Sequence, residues 1–134
     1  MSDKEIKFRV WDLVFKEWLT GNYTTVQLDN SNTFELILAK DWVVQQYTGL
    51  KDKNCKEIYE GDILRIQVNG TILIYSTGTY VASVYWDDKR LSYELKILKE
   101  DCEKNCAKFN PTLCDDPYRV YEVIGNIYEN KELL

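Results

Sequence analysis

The chain has 134 residues, 45% hydrophobic and 29% charged, which suits one globular domain able to bury its own core. Aromatic residues make up 13% and prolines number two, which excludes a disordered chain, and a formal charge of −5 argues against a basic nucleic-acid coat. Histidine is absent, so Ser-His-Asp and Cys-His nucleophiles, His-ligated zinc and two-His iron sites are excluded as well.

Short runs of β-branched and aromatic residues recur along the chain, separated by turn chemistry, and predict an all-β domain. Residues 6–11 alternate Ile6, Phe8 and Val10 with Lys7, Arg9 and Trp11. Residues 23–28 precede the polar turn cluster Asp29-Asn30-Ser31-Asn32, and residues 33–39 place Phe34, Leu36 and Leu38 on one face. A strand at 42–47 leads into residues 47–54, which read as a loop because no hydrophobic period runs through them.

The Gly61-Asp62 pair predicts a tight turn before a strand through Val68, since glycine adopts positive φ freely. Asn69-Gly70 is the strongest hairpin signal, predicting a two-residue type I′ turn between 63–68 and 71–76. A strand at 79–86 follows, then a hairpin through Asp87-Asp88-Lys89-Arg90 into 91–98, whose apolar alternation predicts a sheet with one wet face. Residues 99–117 form a locally acidic insert, with a short helix expected over 99–108. Strand character returns over 118–128, ahead of a short tail.

No stretch reaches the length of a signal peptide's apolar core or a membrane span, so a cytoplasmic protein with reduced thiols is expected. The four cysteines, Cys55, Cys102, Cys106 and Cys114, lack the Cys-x2-Cys knuckle of a zinc site, and no metal or cofactor is expected. The P-loop, the dinucleotide glycine motif, Gly-x-Ser-x-Gly and Cys-x-x-Cys are all missing, so an enzyme is not expected.

The candidate binding residues are of two kinds. Arg9, Lys51, Lys53 and Arg65, beside aromatics such as Trp11 and Tyr47, have the chemistry to neutralise a phosphate and stack a base. The competing reading of 51–53 is a solvated turn of alternating sign. Glu100, Asp101 and Glu103 give the insert a negative face that can imitate nucleic acid toward a basic protein. Aromatics beyond the capacity of one small core favour self-association or a protein partner.

Three segments resemble the YopX-like family of bacteriophage and prophage proteins: Ile6-Lys7-Phe8-Arg9-Val10-Trp11-Asp12, the run from Gln46 through Asn54 to Ile63, and Tyr121-Glu122-Val123-Ile124-Gly125-Asn126 continuing to Leu134. The resemblance spans residues 1–134 as a single domain. It implies a mainly β fold, an SH3-like small β-barrel with additional strands and a short helical or irregular insert, with a barrel core at about 57–129. It also implies homo-oligomers and no established enzymatic activity. Family members usually carry glycine where this chain has Cys55, which puts a type I′ turn there in doubt.

Together these readings lead to a non-enzymatic phage accessory protein that acts by binding in the host bacterial cytoplasm. Blocking a host or anti-phage defence protein is the first expectation. Oligomeric sequestration of a small nucleotide-type signal, or a structural role in phage assembly, are the alternatives; long nucleic acid and membrane are not expected partners.

Overall fold

The computed structural model describes residues 6–19, 41–69, 78–102 and 112–134. The described strands are β1 (Phe8–Asp12), β2 (Glu17–Trp18), β3 (Trp42–Lys51), β4 (Glu57–Tyr59), β5 (Asp62–Val68), β6 (Gly78–Asp87), β7 (Ser92–Cys102) and β8 (Arg119–Asn126). They make two antiparallel sheets, ordered β2-β1-β3-β4 and β7-β6-β5-β8. The protein is mainly β, as its alternating pattern predicts. The expected strands at 23–28 and 33–39 lie outside the described residues, and no described helix is long and apolar enough to cross a membrane.

Alternation places the core. Along β5, Leu64, Ile66 and Val68 are buried while Arg65 and Gln67 are exposed, as a two-residue side-chain period requires. Tyr80, Ala82 and Val84 of β6, Leu95 of β7, Tyr121 of β8, Ile58 of β4 and Leu113 join them in one cluster. Each fully buried aliphatic side chain contributes about 1.5–3 kcal/mol.

Three hairpins share one construction: an aspartate opens the turn and a non-glycine residue at positive φ closes it. Asp12 Oδ1 accepts the N–H groups of Val14 and Phe15 before Lys16 at φ 54°. Asp87 Oδ1 does the same for Lys89 and Arg90 before Leu91 at φ 53°, making the hairpin expected there. Asp52 accepts N–H bonds from Asn54 and Lys56 on Oδ1 and from Val123 on Oδ2, before Cys55 at φ 62°. Short polar side chains compete well for local backbone donors, so aspartate fixes the turn where glycine would supply freedom.

Several expectations are corrected. Residues 47–54 are not all loop: β3 runs on through Lys51, which pairs with Glu57. Gly49, at φ 91°, sits where the register of β3 and β4 shifts, so a bulge hid the strand's period. The turn at Cys55 is not type I′, because Cys55 alone in that loop has positive φ; the Cys55 N–H donates to Asp52 O at 3.0 Å. This is a three-residue loop ending in a left-handed residue, with cysteine in the position that favours glycine.

The strand partner expected for β5 at 71–76, with Gly70 of the turn, lies outside the described residues; Val68 at the end of β5 pairs with Gly78 of β6. The helix expected over 99–108 begins instead as strand: β7 extends through Cys102, with Glu100 opposite Tyr80 and Asp101 opposite Thr79. Residues 103–111, including Glu103 and Cys106, lie outside the described residues.

Candidate functional site: an aromatic face beside a buried polar junction

Two cross-strand pairs, one from each sheet, meet at the centre of the molecule. Arg9 lies opposite Gln45 in the β1–β3 register, and Asp62 lies opposite Asn126 in the β5–β8 register. Arg9 donates from Nε and Nη2 to Gln45 Oε1 at 3.1 and 2.9 Å, and its Nη2 also pairs with Asp62 Oδ1. Asn126 Nδ2 donates to Gln45 Oε1 at 3.0 Å and to Asp62 Oδ1 at 3.2 Å. The Tyr59 N–H donates to Asp62 Oδ2 at 2.8 Å, completing that carboxylate. The guanidinium carbon stands 4.1 Å from the Trp18 ring centroid and 4.4 Å from that of Tyr59. A cation held between two rings and against a carboxylate is a strong local arrangement, because burial weakens the solvent's competing claim.

Gly61 makes the junction possible. Its φ is 83°, and an added Cβ would lie 2.2 Å from Gln45 Nε2. The same residue separates two carboxylates of different fate. Asp62 has a side chain 1% exposed and faces Arg9. Glu60 turns toward the surface, with Oε1 accepting the Gln46 N–H at 2.9 Å.

Glu60 lines a shallow cleft of about 280 Å³ together with Val44, Val84, Tyr85, Trp86 and Tyr128. Trp86 is 42% exposed and Tyr85 44%. The Trp86 ring meets Tyr93 edge-on, with centroids 5.0 Å apart. Burial pushes the Tyr93 phenol above its usual range, and the negative charge of Glu60 pushes it further the same way. Tyr128 also lines a second cleft of about 230 Å³ with Trp11, Leu13, Lys16 and Lys131. Glu129 and Glu132 complete the lining of that second cleft, which shares Tyr128 with the first, and the β1–β2 turn at its edge exposes Leu13, Val14 and Phe15.

The candidate residues read from sequence do not gather into one pocket. Arg9 is held inside the junction. Trp11 is buried edge-on against Trp18, and Tyr47 is buried against the Tyr59 ring. Lys51 is exposed at the end of β3. Lys53 and Arg65 do come together, but on Glu122, at 2.8 and 3.6 Å. The Lys53 hydrogen bond is the main reason the Glu122 carboxyl sits below its usual range. Glu100 and Asp101 are exposed on β7, a strand separated from Arg65 on β5 by β6.

Cys55 and Cys114 are free thiols, and among the described residues no group of three metal-ligating side chains converges. Glu60, Tyr85, Trp86 and Tyr128 were not singled out as binding residues by the sequence. The available signal was phase: Trp86 continues the buried series Tyr80, Ala82, Val84, but at the strand's end, where the core has run out.

The architecture defines a small two-sheet β protein with a sealed polar centre and an open aromatic face. Residues 7–134 match the family model described as YopX protein, and the chain belongs to the YopX family. The crystal structure of protein EF1440 from Enterococcus faecalis is similar over 98% of this chain and 99% of that one, with 28% identity and a TM-score of 0.49. No curated protein matches the chain.

Proposed function

We propose that the chain is a non-enzymatic binding protein whose partner is another protein, and that it serves a phage or prophage in the bacterial cytoplasm by blocking a host or defence component. The observation that carries this reading is the set of large apolar and aromatic side chains left in solvent at two clefts that share Tyr128: Leu13, Val14 and Phe15 at the β1–β2 turn, and Tyr85 and Trp86 at the end of β6. Exposed apolar surface of this kind favours protein docking, with Tyr and Trp as its usual anchors. An SH3-like small β-barrel with its core at about 57–129, and a homo-oligomeric state, belong to the same proposal.

The nucleotide-sequestering alternative is less well supported. Its proposed cations include Arg9, which is closed in by Trp18, Tyr59 and Asp62, and Lys53 and Arg65, which flank Glu122. Native mass spectrometry of the protein purified from infected cells, repeated after denaturation, separates the two. A complex that dissociates into polypeptides only is the expected result. An intact nucleotide released on denaturation would overturn the protein-binding reading.

A further inference from the structure

The larger of the two clefts has a charge it does not balance. Among its lining residues Glu60 is the one that is charged, and among the described residues no lysine or arginine pairs with it. Its fixed bond is a single backbone N–H from Gln46 on Oε1. Trp86, Tyr85 and Tyr128 line the same cleft, and Tyr93, whose ring meets that of Trp86, is close enough to feel the charge of Glu60. Partly desolvated carboxylates attract cations strongly, and aromatic faces add to that attraction without requiring a hydrogen bond. The same chemistry is already satisfied internally a short distance along the chain, where Asp62, Trp18 and Tyr59 enclose the guanidinium of Arg9.

We propose that the Glu60–Trp86 cleft receives a cationic side chain, an arginine or lysine, presented by a basic partner protein. The stem of such a side chain covers the half-buried Val44 while its head meets Glu60 and the exposed Trp86 ring. Charge complementarity supports this occupant over an acidic or purely apolar one: the cleft holds one carboxylate and no cation, and the chain carries −5 overall. A negative surface also speeds the approach of a positive partner. This inference rests on the protein-binding reading above and names the chemistry of the partner's contact.

The test uses matched blocked tripeptides, acetyl-Gly-X-Gly-amide with X arginine, norleucine or glutamate, titrated into the full chain and followed by amide and indole NMR. The arginine peptide is expected to shift the Trp86 indole N–H and the Gly61 and Ile127 amides in a saturable way. Norleucine and glutamate peptides are expected to bind at least about fivefold more weakly. Glu60→Gln keeps an acceptor for the Gln46 N–H and is expected to reduce arginine-peptide affinity by a similar factor. Trp86→Leu provides a second variant that removes the ring face.

Equal binding of arginine and norleucine would overturn the inference by showing an apolar cleft only. Absence of saturable shifts at the cleft, or affinity unchanged in both variants, would overturn it too. None of these results touches the mass-spectrometric test, so the cleft's specificity and the broader binding reading fail separately.

Discussion

Two carboxylates one glycine apart, Asp62 and Glu60, experience opposite environments. Asp62 is enclosed with Arg9, Gln45 and Asn126, and both its oxygens are occupied. Glu60 faces the aromatic cleft with one backbone bond and no cation among the described residues. Both sites combine a carboxylate with aromatic rings, so residue type alone does not distinguish stability from binding. What separates them is register: Arg9–Gln45 and Asp62–Asn126 are directly opposed pairs that the two sheets bring together, whereas Glu60 precedes β5 at a sheet corner. A filled site strengthens the fold; its open counterpart is the one proposed above to receive a partner's cation.

The sharpest way to break the inner site is Asp62→Asn. Removing the charge leaves the Arg9 guanidinium uncompensated and is expected to lower stability by about 3–5 kcal/mol in urea unfolding. Gly61→Ala attacks the same junction through the backbone, combining positive φ with a clash against Gln45; about 3 kcal/mol of destabilisation is expected by the same measurement.

Asp52 tests whether the turn carboxylates act as structural groups. Burial pushes its pKa upward, but N–H bonds from Val123, Lys56 and Asn54 outweigh that and hold it below the usual value. A lowered folded pKa gives stability that is complete above the unfolded value, about 3.9, and is lost as pH falls through the folded one. Thermal melts from pH 7 to pH 3 should therefore show wild-type stability falling below about pH 4. Asp52→Ala should cost about 2 kcal/mol at pH 7 and have a flatter acid limb. The smallest effect runs the other way: Cys55→Gly relieves a left-handed side-chain conformation and should stabilise by about 0.5–1 kcal/mol.

Much of the second sheet is legible in the sequence because β5 and β6 alternate cleanly between core and solvent. The strand through Val68 and the strand at 79–86 both reappear within a residue of their expected bounds. The second half of β3 is hidden because Thr48-Gly49 interrupts the period at a bulge, and the end of β7 because its register with β6 shifts between Val81 and Ala82. Asn69-Gly70 carries a local turn preference, which does not name a strand's partner; Val68 pairs with Gly78. From sequence Arg9 reads as a ligand-binding cation, because a base among aromatics looks the same inside as outside. Its distance in sequence from Asp62 hid the ion pair, and only the meeting of two sheets reveals it.

Side-by-side urea unfolding of Glu60→Gln and Asp62→Asn tests most directly whether the two neighbouring carboxylates have different fates. The prediction is that Glu60→Gln stays within about 0.5 kcal/mol of the wild type while Asp62→Asn loses at least about 3 kcal/mol. Comparable losses in both variants would contradict it, showing Glu60 to be as structural as Asp62 and the aromatic cleft to be part of the fold's own support.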